Sequence, residues 1–152
     1  MRFRAVCVIL ALAGVLLFAQ TEPVDIDGFR GFKWDTPYAK MSEGLQKSSS
    51  FNPGFKGYEK PGDDMLFAGV RAHSIIYLFK KDLFNCISIG YYNNQMDSVL
   101  ANLSGKYGPP RATENDFLRN YEWYLPSSVM VLSWFVANES DKSVALGIRK
   151  PK

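Results

Sequence analysis

Two short runs, Ser74–Phe79 (SIIYLF) and Val129–Val136 (VMVLSWFV), restrict the possible folds more than any other part of the chain. In the first, Ile75, Tyr77 and Phe79 alternate with Ile76 and Leu78. In the second, Val129, Val131 and Phe135 alternate with Met130, Leu132, Trp134 and Val136. Successive side chains of a strand point to opposite faces. A strand that is apolar in both phases therefore needs cover above and below.

The surrounding sequence predicts how such strands are connected. Met65–Val70, Leu83–Tyr92, Phe117–Leu125 and Ser143–Arg149 are further strand-like runs. The turns between runs fall at Arg71-Ala72-His73, Lys80-Lys81-Asp82, Pro126-Ser127-Ser128 and Asn138–Asp141, the pattern of antiparallel meanders. Arg30, Phe32 and Trp34 share one side of an extended segment. After it, Asp35 or Thr36 caps a helix with Pro37 at its first position, and Tyr38, Met41 and Leu45 lie along one face. A second helix runs from about Gln95 to Tyr107 with Met96, Val99, Leu100 and Leu103 as its stripe, stopped by Gly108 and Pro109-Pro110. The fold class expected is α+β: an antiparallel sheet of about six strands with two short helices mainly on one face. The helix starts, Pro37 and Met96, and the turn residues Lys81 and Ser140 are offset by the same interval, about 59 residues, which implies a duplicated helix-plus-three-strand unit.

A chain of 152 residues fits one domain. Its first 19 residues differ from the rest: Arg2 and Arg4, an unbroken apolar run of 15 from Ala5 to Ala19, then polar Gln20-Thr21-Glu22. That layout is a secretory signal peptide, too short to span a bilayer. The expected organisation is residues 1–19 as leader and 20–152 as a single domain, periplasmic or secreted, with no transmembrane segment once the leader is cleaved. Of 18 Lys and Arg the leader carries two, leaving 16 against 15 Asp and Glu. No basic cluster remains to follow a phosphate backbone, so nucleic acid is not an expected partner. Cys7 leaves with the leader, and Cys86 is then the sole thiol, without a disulfide partner in the chain.

The stretch FRGFKWDT (Phe29–Thr36) resembles the opening of small exported bacterial domains that begin FRG-x-x-W-[GD]-[TS]. YLFKKDLFNCISIGYY and LSGKYGPP are similar to their central hairpin and helix exit. The layout also resembles the group containing the β-lactamase-inhibitor protein and the small outer-membrane-assembly lipoproteins. Both likenesses imply binding without catalysis. Unlike those lipoproteins, this chain has no lipobox cysteine.

No catalytic constellation emerges. The one histidine, His73, lies at a predicted turn with no Gly-x-Ser-x-Gly or acid partner nominated by spacing. Zinc needs about four Cys or His ligands, and the chain beyond the leader offers Cys86 and His73. After Asp25-x-Asp27-Gly28, Arg30 falls where a calcium loop needs glycine, and no closing glutamate follows at the needed spacing. The pairs Asp63-Asp64 and Glu114/Asp116 have no apolar setting to separate their pKa values. No catalytic, metal or cofactor residue is assigned.

The functional expectation comes from cover. Two helices of about 11 residues, each roughly 16 Å by 10 Å, mask on the order of 160 Å² apiece. Six strands spaced about 4.8 Å apart and about 20 Å long present roughly 580 Å² per face. The remainder needs residues 20–34, the 48–64 loop with Phe51, Phe55 and Tyr58, or another molecule. Cys86, Ser88 and Gly90 share one side of their strand and would admit a helix closely, which turns Ile87, Ile89 and Tyr91 toward the barer side. Tyr77, Phe79, Tyr91, Tyr121 and Trp123 are the candidate anchors for a partner there. The same rings would otherwise be core roofed by the loop. The chain is thus expected to be a non-catalytic binding domain for an envelope or extracellular protein, or for itself. The alternative is a carrier of a small apolar ligand or lipid between sheet and aromatic loop.

Overall fold

The computed structural model describes residues 25–49, 54–136 and 142–152. The leader and the whole predicted Asn138–Asp141 turn lie outside the described residues, as does Phe51.

Among the described residues there are twelve strands, in one eight-stranded and two two-stranded antiparallel sheets. The small sheets are hairpins: β1 (Gly28–Phe29) with β2 (Phe32–Lys33), and β5 (Leu66–Phe67) with β6 (Val70–Arg71). The large sheet contains β3 (Gln46–Lys47), β4 (Lys56–Glu59), β7 (Ser74–Lys80), β8 (Leu83–Tyr91), β9 (Arg111–Glu114), β10 (Leu118–Tyr124), β11 (Val129–Phe135) and β12 (Val144–Arg149). Their spatial order is β3-β4-β7-β8-β12-β11-β10-β9, so β8 and β12 meet at the centre.

Three hairpins turn on two residues with positive φ: Arg30 (50°) and Gly31 (84°), Ala68 (52°) and Gly69 (69°), Lys81 (52°) and Asp82 (60°). These are type I′ turns, whose twist matches that of the flanking strands. The FRGF sequence is therefore a hairpin tip: Arg30 is a turn residue and Phe32 begins the returning arm, so they do not share one side of an extended segment.

The α+β expectation is corrected: the protein is mostly β. Among the described residues there is one α-helix, α1 (Met96–Tyr107), entered through a 3-10 turn at Asn93–Gln95 and left at Gly108 (φ 83°). The expected first helix is reduced to a 3-10 turn at Tyr38–Lys40. Its start is tied to β8: the Thr36 carbonyl accepts the Phe84 amide at 2.9 Å, Pro37 bridges Leu83, and the Tyr38 amide donates to the Asp82 carbonyl at 2.8 Å. A first-turn amide is free for such a bond in any helix, so the break lies further on. Gly44 then takes φ 75°, and Lys47 lies in β3. Nor is a helix and three strands repeated. The sheet joins two four-stranded meanders, and the first of them has no α-helix before it among the described residues.

Cross-strand register assigns the faces, because residues directly opposite point the same way. Tyr77, Ile87, Ile148, Met130 and Trp123 form one such row across β7, β8, β12, β11 and β10. All are buried in the core cluster together with Met96, Val99 and Leu103 of α1 and Phe29 of the first hairpin. This is the covered face. Phe29 packs against Phe67 of the second hairpin at 5.7 Å and against Tyr77 at 5.9 Å. Trp34 meets Phe84 at 5.1 Å, and Tyr38 lies over Tyr58 at 4.6 Å. Two hairpins and the 34–38 segment thus supply the cover that a second helix was expected to give.

Candidate functional site

The opposite face carries the alternate residues of the same strands. One row reads Ile76, Ser88, Gly147, Val131, all in register. The next reads Gly90, Ala145, Ser133. Small side chains occupy β8 and β12, with larger ones on either side, so the surface is a trough along the central strand pair. A Cβ built on Gly147 meets nothing nearer than the Val131 carbonyl oxygen at 3.9 Å, so the floor is open at that point. Among the described elements, α1 and both small hairpins pack on the other face.

Toward one margin two large apolar side chains are exposed on this face, Tyr124 at 63% and Phe135 at 47%. Leu118, opposite Phe135, is half-buried. Toward the other margin Leu78 is buried, and the Lys80 ammonium stands over the Phe55 ring at 5.9 Å. Arg149 and Glu122 add one charge of each sign. Cys86, half-buried here, donates its S–H to the Ile87 carbonyl at 3.3 Å. Burial pushes its thiol up to about 11 against the opposing influence of Arg149. It is therefore protonated at neutral pH and a poor nucleophile.

The five expected anchors all sit on the covered face. Tyr77, Phe79, Tyr91 and Trp123 are buried in the core, and Tyr121, paired with Leu132, is half-buried against it. The Tyr77 hydroxyl donates to Asp63 at 2.7 Å, the Tyr91 hydroxyl to the Phe67 carbonyl at 3.2 Å, and Trp123 Nε1 to the Gly108 carbonyl at 2.8 Å. Burial, first of all, raises both tyrosine pKa values. These rings bind the hairpins, the helix exit and the sheet together. The expected phase is inverted by one residue: α1 packs on the large side chains of β8, because Ile87, Ile89 and Tyr91 bury far more apolar area than Cys86, Ser88 and Gly90 could. The residues that line the open face carry a sequence signal of their own, the same alternation read in the other phase.

His73 lies at the end of this face, its ring 5.1 Å from that of Tyr92 and close to Gly90. Among the described residues no three His, Cys, Asp or Glu side chains gather so that they could hold a metal ion. None of the described helices is long and apolar enough to cross a membrane. Comparison with known proteins finds no matching family model, no matching curated protein and no matching solved structure. The resemblance carried by FRGFKWDT therefore stands on its motifs alone.

Proposed function

We propose that this chain is an exported, non-catalytic binding domain that receives a protein partner on the uncovered face of its large sheet. The observation that carries the reading is the one-sided placement of cover. The described helix and both small hairpins lie on one face, while the other keeps Ile76 and Val131 as walls, small residues as a floor, and Tyr124 and Phe135 exposed. The five long strands of the sheet, β7, β8, β12, β11 and β10, spaced about 4.8 Å apart and about 24 Å long, present roughly 580 Å² in projection. That is of the order of the 800 Å² or so that one partner contributes to a stable interface. Exposed aromatics at such a margin are usual anchors. The trough fits the apolar side of a partner helix lying along β8 and β12, since small floor residues permit close approach. The leader at residues 1–19 supports export and places the partner in the envelope or outside the cell.

The carrier reading, with an apolar ligand beneath the aromatic loop, has less support. The space beside Tyr58 is filled by Tyr38 and Phe79, whose rings lie 4.6 Å and 5.5 Å from it.

The test fills the trough without touching the core. Gly147→Trp projects its ring onto the open face, and Ala101→Trp, on the exposed side of α1, is the control. A partner that co-purifies with the wild-type chain and with Ala101→Trp is expected to be lost with Gly147→Trp. Unchanged co-purification with Gly147→Trp overturns the reading.

A further inference from the structure

A cleft of about 410 Å³ opens on the covered side of the sheet, away from the trough. Its apolar wall is Phe32 of the first hairpin with Met41 and Leu45 of the 3-10 turn segment; Tyr77 lies behind them. Five charged side chains line it: Arg30, Lys40, Glu43, Lys60 and Asp63.

Two of these charges are already engaged with each other. The Arg30 guanidinium, at the tip of the β1–β2 turn, donates to the Asp63 carboxylate and to the Asp64 carbonyl. Asp63 also accepts the Tyr77 hydroxyl at 2.7 Å and the Asp64 amide at 3.1 Å. This group is structural, tying the hairpin tip and the loop to β7. Lys40, Lys60 and Glu43 are exposed and form no ion pair among the described residues. The unengaged charge at the mouth is thus two ammonium groups against one carboxylate, beside an apolar wall.

We infer that this cleft binds a small organic anion with an apolar body, a medium-chain or aryl carboxylate, its charged end at Lys40 and Lys60 and its body on Phe32, Met41 and Leu45. Volume agrees: at about 30 Å³ per water-sized group, the cleft has room for roughly a dozen heavy atoms, within the usual range for small-molecule sites. Neither half of the site suffices by itself. Two exposed lysines hold a bare anion weakly in water. An apolar wall without them would accept a neutral alcohol as readily as an acid.

Calorimetric titration of the purified protein with octanoate, octan-1-ol and inorganic phosphate separates these contributions. Octanoate is expected to bind saturably at one site, with octan-1-ol and phosphate each at least tenfold weaker. The double variant Lys40→Gln/Lys60→Gln should weaken octanoate about tenfold, and Glu43→Gln should tighten it about threefold. All three side chains are exposed, so an unchanged thermal midpoint is expected and is checked alongside. Absence of octanoate binding overturns the inference. So does phosphate binding as tightly as octanoate, or full affinity retained in the double variant.

Discussion

The rings of Phe29 and Phe67, from two separate hairpins, lie 5.7 Å apart above the large sheet. Each caps a two-residue turn, and each hairpin alone is too small to be stable in water. Their contact, with Tyr77 beneath, makes one roof out of two marginal pieces. Phe29→Ala is expected to destabilise the fold by about 3 kcal/mol and Phe67→Ala, half-buried, by less. In a double-mutant cycle the two should couple by about 0.5–1.5 kcal/mol. Urea unfolding of the four proteins measures this, and strict additivity would show that the roofs act separately.

The β7–β8 turn places two residues with side chains, Lys81 and Asp82, in left-handed conformations at φ 52° and 60°. Asn tolerates this region far better than Lys, and a β-branched residue tolerates it worst. Lys81 is exposed, so its replacement changes little else. Lys81→Asn should raise stability by about 0.5–1 kcal/mol, and Lys81→Val should lower it by about 1 kcal/mol or more. Thermal midpoints moving in opposite directions are the expected result.

Trp123 is 3% exposed and donates its indole N–H to the carbonyl of Gly108, the residue that ends α1. Trp123→Ala is expected to cost about 3–5 kcal/mol, the signature of a core ring and not of a surface anchor. Trp123→Phe keeps most of the ring but leaves the carbonyl unpaired, at about 1–2 kcal/mol. Gly108→Ala meets no neighbouring atom but bears the strain of φ 83° with ψ −179°, a region essentially confined to glycine, at about 1–3 kcal/mol. Denaturant midpoints for the three variants test the order.

Cys86 holds its proton well above neutral pH because the thiolate would be partly buried. Well below both values, a rise from 9 to about 11 lowers the thiolate fraction about a hundredfold, while the greater nucleophilicity of a more basic thiolate recovers about half of that on a logarithmic scale. Alkylation by iodoacetamide at pH 8 should therefore run about tenfold slower than for an exposed cysteine, and accelerate with pH until about 11. A plateau below about pH 9 would contradict this environment.

Local chemistry carries much of the architecture. The stripe Met96, Val99 and Leu103, with Gly108 and Pro109-Pro110 after it, predicts α1 because every part of the signal lies within one short segment. β7, β8 and β11 are likewise legible from their runs of apolar residues. The segment after Pro37 departs from its helical spacing because that spacing ignores partners further along the chain: Gly44 takes φ 75°, and Gln46–Lys47 pairs with β4. β4 is hidden in a loop-like sequence because Gly57 weakens its alternation. Its strand state comes from pairing with β7. The hairpin Leu66–Arg71 reads as one strand in sequence because Ala68-Gly69 is a weak signal for a type I′ turn.

The chain's own pattern determined that a two-sided apolar sheet would form, that one α-helix would end at Gly108, and that helical cover would fall short. It could not determine which phase of β8 the helix would choose. A strand's alternation is symmetric under exchange of its faces, and only the competition among α1, the two hairpins and the 34–38 segment for the larger side chains breaks that symmetry. Tertiary packing therefore made Tyr77, Tyr91 and Trp123 into core, and left Ser88 and Gly147 facing out.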